Sequence, residues 1–218
     1  MTLGVLGGTF DPIHLGHVAA AEAAQQALSI DQIVIVPSHL PPHRIDPTTA
    51  SAEDRFAMAD LAAADRPGWS ASRIEIDRDG PSYTYDTLIA LLQGPALSKR
   101  GASRSAEVRE SKGTQNFFIT GADAFAEIAT WSRYPAILDL ANFVVVSRPG
   151  ITLDSLRERV PSAFTPRPAA KTRVILVEAR TPDVSSTEIR RRARAGASLS
   201  GLVPESVADY IHTHGLYR

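Results

Sequence analysis

The residues best equipped for chemistry lie near the start of the chain, in Gly7-Gly8-Thr9-Phe10-Asp11-Pro12-Ile13-His14-Leu15-Gly16-His17. Glycines let a backbone approach a ligand with no Cβ in the way. His14 and His17 share one face if a helix has begun by then. A helix starting near His17 adds free N–H groups and the positive end of its dipole. Together these features make an anion site suited to a polyphosphate. Two common phosphate-binding patterns are excluded: no Lys-Ser/Thr pair closes the loop as in a P-loop, and the glycine spacing is not Gly-x-Gly-x-x-Gly. Two histidines also suit a metal, but no third ligand stands beside them, and a structural pair remains the bland alternative. Asp11, before Pro12, reads as a turn former, since a bare carboxylate repels phosphates. Ser186, Thr187 and Arg190 form a second anion-site candidate, with both hydroxyls at a helix start and the guanidinium one turn later. A capped surface helix would look the same. Arg191, Arg192 and Arg194 read as solvated.

These groups need a scaffold, and strand–helix alternation supplies one. Leu3–Leu6, Ile33–Val36, Ser72–Ile76, Phe117–Thr120, Phe143–Val146 and Val174–Val177 read as strands. Several are unbroken Val/Ile runs, as in strands covered on both faces. Helical patterns fall at His17–Leu28, Ala52–Ala64, Tyr85–Leu92, Ala124–Trp131, Leu153–Val160, Ser186–Ala195 and Pro204–His212. Ser51, Thr84 and the Ser185/Glu188 pair supply start signals, and Pro204 suits a first helical turn. The expectation is an α/β fold of one domain over 1–218, a Rossmann-like doubly wound, mostly parallel sheet. Gln93–Gln115, basic and without aromatics, is expected to be a flexible insertion. Pro161–Lys171 is expected to be a loop.

Composition narrows the function classes. With 218 residues and a 44% hydrophobic fraction, the chain can bury one sizeable core. Lys plus Arg number 23 against 24 Asp plus Glu, which argues against nucleic acid as the main partner. Cysteine is absent, so disulfides, thiolate catalysis and Cys-ligated zinc are excluded. No leader-like or membrane-spanning pattern is evident, and a cytoplasmic location is the expectation. Self-association into a homo-oligomer stays open.

The Gly7–His17 run resembles the signature of the nucleotidyltransferase superfamily related to class I aminoacyl-tRNA synthetases. More narrowly, the chain is similar to the bacterial nicotinate-mononucleotide adenylyltransferases. The likeness extends through Pro37 with Pro41-Pro42-His43-Arg44, Ser82-Tyr83-Thr84, Gly121-Ala122-Asp123, Trp131, Ser147-Arg148-Pro149-Gly150 and Val184–Arg190. Arg44 stands where the family commonly has Lys, and Val184 where it has Ile; charge and β-branching are kept.

The resemblance implies attack by the phosphate of nicotinate mononucleotide on the α-phosphorus of ATP, giving deamido-NAD and pyrophosphate in NAD biosynthesis. It implies ATP contacts from Gly8, Thr9, Phe10, His14, His17, Gly121, Asp123, Ser186, Thr187 and Arg190, with the two histidines catalytic. Asp123 would accept from the adenosine ribose, with an N-cap role as its alternative. For the acceptor, N–H groups at Thr84 would hold the ring carboxylate and Trp131 would offer its face, unless it is a core tryptophan. His43, Arg44 and Arg148, with Arg55 a weaker candidate, would meet the acceptor phosphate. Mg2+ would bridge the ATP phosphates without a protein cage. Transfer to another phosphate acceptor, such as nicotinamide mononucleotide or phosphopantetheine, and a non-catalytic nucleotide sensor are the competing readings.

Overall fold

The computed structural model describes residues 1–41, 48–92, 115–147, 151–165 and 172–218. Among these residues six parallel strands form one sheet: β1 (Thr2–Gly8), β2 (Gln32–Pro37), β3 (Trp69–Ala71), β4 (Gln115–Gly121), β5 (Asn142–Ser147) and β6 (Val174–Glu178). Their order, β3-β2-β1-β4-β5-β6, reverses direction between β1 and β4. Side chains alternate across the sheet as the pleat requires. Leu6, Ile33, Ile35 and Ile119 face one apolar layer, while Val5, Val34, Val36 and Phe118 face the other.

Among the described residues, seven helices cover the two faces. α1 (Leu15–Leu28), α2 (Ala52–Ala64), α6 (Ser186–Arg194) and α7 (Glu205–Thr213) contribute Val18, Met58, Ile189 and Val207 to the first layer. α3 (Thr84–Leu92), α4 (Ala122–Ala126) and α5 (Leu153–Arg159) contribute Leu88, Phe125 and Leu156 to the second. Each such buried side chain contributes about 1.5–3 kcal/mol by leaving water. No helix among the described residues is long and apolar enough to cross a membrane.

Ser51 and Ser185 cap their helices as the sequence predicts, whereas Pro204 is the N-cap of α7 and not part of its first turn, and Thr84 is the first residue of α3 and not the residue before it. Ser51 accepts from Asp54 N at the start of α2, and Ser185 accepts from Glu188 N at the start of α6. Glu188 does not close a capping box, because its carboxylate pairs with Arg191 and Arg192. Two further expectations are corrected. The third strand lies at Trp69–Ala71, and Ser72–Ile76 leads into a turn whose N–H groups bond locally, Asp77 N to Arg73 O and Arg78 N to Glu75 O. The alternating Ile74 and Ile76 imitate a strand there. Ala124–Trp131 is not one helix: α4 ends at Ala126, a 3₁₀ turn follows at Ile128–Thr130, and Trp131 is extended. Pro161–Phe164 forms a further 3₁₀ turn within the expected loop. The expected insertion lies outside the described residues, apart from Gln115, which opens β4.

Candidate active site

Strand order reverses between β1 and β4, and in open α/β sheets ligands bind beyond the strand ends at such a point. A cleft of about 730 Å³ opens there. The ends of β1 (Gly7, Gly8, Thr9), β2 (Ser38) and β4 (Phe118, Thr120) line it. Ser82–Thr84 at the start of α3 and Trp131 complete its walls.

Beyond Gly8 the chain turns sharply into α1. A Cβ at Gly8 would meet the Phe10 ring at 2.8 Å, so the turn accepts no larger residue without repacking. Phe10 has φ +50°, a left-handed conformation uncommon outside glycine. His14 caps α1 in a reciprocal arrangement. His17 N donates to His14 Nδ1 and His14 N donates to His17 Nδ1, each at 3.3 Å. With both Nδ1 atoms accepting, the neutral rings carry their protons on Nε2. The rings stack with centroids 3.6 Å apart, and Phe10 stands edge-on to His17 at 5.1 Å. Burial pushes His14 down to about 4; burial, with the neighbouring His14, pushes His17 down to about 3. At neutral pH the free protein therefore presents two uncharged imidazole donors, with the helix start beside them.

Three side chains from two helices, α6 and α2, hold this turn from behind. Arg190 donates to Asp11 O at 2.7 Å and to Thr187 Oγ1 at 3.3 Å. Ser186 Oγ donates to Pro12 O at 2.9 Å. Arg55 donates to Thr9 O, Ser38 O, His39 O and Ala50 O. The α6 cluster predicted from the sequence is thus brought against the histidine turn, with Ser186 and Arg190 bonded to its backbone.

The remaining predicted residues divide. Gly8, Thr9, Thr84 and Trp131 all line the cleft. Trp131 is half-buried, at right angles to Phe118 with centroids 5.9 Å apart, so it is a wall and not a core residue. Asp123 is exposed in the first turn of α4, and Gly121 occupies the cap position, so the N-cap alternative fails. Phe10 is 2% exposed and packs in the core, so its side chain buttresses His17 and a contact to a nucleotide would come from its backbone. One assignment is corrected. Arg55 is fully buried with its donors on backbone carbonyls, so it does not reach an acceptor phosphate. His43, Arg44 and Arg148 lie outside the described residues.

Sequence reasoning missed several cleft residues. Ser38, buried with an unpartnered Oγ, follows the end of β2, a position the switch-point rule marks for inspection. Glu75 is a buried carboxylate on the cleft wall that accepts from Thr87 Oγ1 at 2.5 Å. Burial raises its pKa, opposed by Thr87, Ser82 and Arg78. No local pattern distinguishes it from the acidic residues around it. Among the described residues no group of three or more His, Cys, Asp or Glu is placed to hold a metal ion.

The chain is similar to known proteins in sequence and in fold. Residues 5–192 match the cytidylyltransferase-like family. A Roseiflexus protein named probable nicotinate-nucleotide adenylyltransferase is 42% identical over 99% of this chain and 98% of its own length. A Thermus thermophilus protein of the same name is 40% identical over the whole of both chains. The fold also matches a solved structure of Plasmodium falciparum nicotinic acid mononucleotide adenylyltransferase complexed with NaAD. The TM-score is 0.72 and the identity 17%, over 99% of this chain and 97% of that one. With family matches spanning nearly the entire sequence, and the fold and histidine turn in place, the chain belongs to the cytidylyltransferase-like family and, within it, to the nicotinate-nucleotide adenylyltransferases.

Proposed function

We propose that the protein transfers the adenylyl group of ATP to nicotinate mononucleotide, forming deamido-NAD and releasing pyrophosphate in NAD biosynthesis. The observation that carries this reading is that Gly8 and Thr9, on the wall of a switch-point cleft shared with Thr84 and Trp131, lead directly into the turn that carries two uncharged imidazole donors. The acceptor's phosphate is largely dianionic at neutral pH, so attack on the α-phosphorus needs no general base. Neutral imidazoles protonated at Nε2 suit that chemistry, because they donate to phosphate oxygens and cannot take up a proton at Nδ1 without losing a cap. Their role is to stabilise charge as the P–O bond to pyrophosphate breaks, while the turn aligns the attacking and leaving oxygens.

Magnesium belongs to the proposal as an ion that would enter with the incoming ATP and would offset the charge of its phosphates. The Asp11 carboxylate accepts from Thr49 N, Ala50 N and the Tyr217 hydroxyl, which suits a structural anion better than a ligand to that ion. Asp123, Ser186, Thr187 and Arg190 are proposed on the nucleotide side, Thr84 and Trp131 on the acceptor ring, with His43, Arg44 and Arg148 toward the acceptor phosphate. A cytoplasmic location is part of the same reading.

Pyrophosphate release should be measured with ATP, magnesium and, separately, nicotinate mononucleotide, nicotinamide mononucleotide or phosphopantetheine. The expected result is fastest turnover with nicotinate mononucleotide and none after chelation. Equal rates with every acceptor would overturn the substrate assignment; tight nucleotide binding with no turnover on any would favour a sensor.

A further inference from the structure

Asp11 is 1% exposed, at the centre of the histidine turn. Its carboxylate accepts from Thr49 N at 2.8 Å and Ala50 N at 3.0 Å, the segment that leads into α2. A third donor comes from the far end of the sequence: Tyr217 Oη lies 3.0 Å from Asp11 Oδ1 across a separation of 206 positions. Tyr217 is itself 4% exposed. The backbone bends to deliver it, with left-handed conformations at Gly215 (φ +62°) and at Tyr217 (φ +67°). For a bulky residue such a conformation is strained and persists only where the surroundings compensate. Burial and the Asp11 carboxylate both push the phenol's pKa up, so it remains a donor throughout the working pH range.

Asp11 sits three positions before His14, the residue that caps α1 and stacks on His17. Its main-chain carbonyl is also the acceptor for Arg190. A shift of Asp11 would therefore move both the imidazole pair and the α6 contact. We propose that Tyr217 is a positioning residue for adenylyl transfer, holding the Gly8–His14 turn through Asp11 in the shape that receives the ATP phosphates. The proposal rests on the adenylyltransferase reading. It also predicts selectivity, because Tyr217 packs in the α1/α2/α7 layer, whereas Trp131 packs on the opposite face of the sheet.

The test compares wild type, Tyr217→Phe, Asp11→Asn and the double variant. Steady-state kinetics use ATP and nicotinate mononucleotide, calorimetry measures Mg·ATP binding, and thermal unfolding follows the fold. Losing one hydrogen bond to a buried carboxylate should lower kcat/KM for ATP roughly tenfold in Tyr217→Phe. KM for the acceptor should stay within about twofold, and the double variant should be no worse than Asp11→Asn alone. The proposal is overturned if Tyr217→Phe matches wild type, if the two effects multiply independently, or if both KM values rise together with a lowered Tm. An inactive wild type would sink the reaction assignment, while Mg·ATP affinity in the same variants would still decide the role of Tyr217.

Discussion

At the scale of single residues, His14 and His17 do two jobs with two nitrogens. Nδ1 of each caps the helix, which leaves Nε2 as the donor available to a ligand. His17→Ala should cut kcat by about 10²–10³, the range for removing one transition-state donor, and lower stability by about 1 kcal/mol through the lost cap. Retained turnover would remove His17 from the mechanism. The depressed pKa values carry a second consequence. An unfolded histidine titrates near 6.5, whereas these titrate near 4 and 3 in the fold. Their contribution to stability is therefore fully present above pH 6.5 and is lost as pH falls toward 4 and then 3. Urea unfolding across that range should show the decline, and His14→Asn should flatten it. Trp131 is half-buried beside the cleft, so Trp131→Ala should raise KM for the acceptor roughly threefold to tenfold. A large fall in Tm instead would return Trp131 to the core.

α2 and α6 meet the turn through its backbone carbonyls as well as through the apolar packing of Phe10 and Ile13. Arg55 joins the end of β2, the start of α2 and the turn after β1 with one guanidinium, whose planar fork carries several donors in fixed geometry. Arg55→Met would fill the space and leave those buried carbonyls short of donors, so a loss of about 3–5 kcal/mol is expected in chemical denaturation. Arg55→Lys should recover only part of it, because an ammonium on a flexible stem cannot span the same carbonyls. A Met variant as stable as wild type would show that water meets those carbonyls equally well. α6 is tied in a similar way: Ser186 and Arg190 reach the Pro12 and Asp11 carbonyls, so the cluster predicted to meet phosphates also braces the loop beside them.

Across the whole molecule, the candidate site draws on residues from Gly7 to Tyr217, and both apolar layers stand behind it. Ligands should therefore stabilise the global fold. ATP or acceptor at about 100 times its Kd should add roughly 2.7 kcal/mol and raise Tm by about 5–10 °C. An unchanged Tm at saturation would mean that the site is not coupled to the fold. The doubly wound sheet, five of the six strands and the caps at Ser51 and Ser185 were legible in the sequence, because they rest on periodicity and on side chains that bond locally. The histidine turn was legible for the same reason: its chemistry lies within eleven consecutive residues. Local patterns could not reveal that Phe10 is core, that Arg55 braces backbone, or that Glu75 and Ser38 line the cleft. Nor could they pair Asp11 with Tyr217. Those facts depend on which distant segments the sheet order makes neighbours, and burial converts an ordinary charged or aromatic residue into a fixed partner only after those neighbours have closed around it.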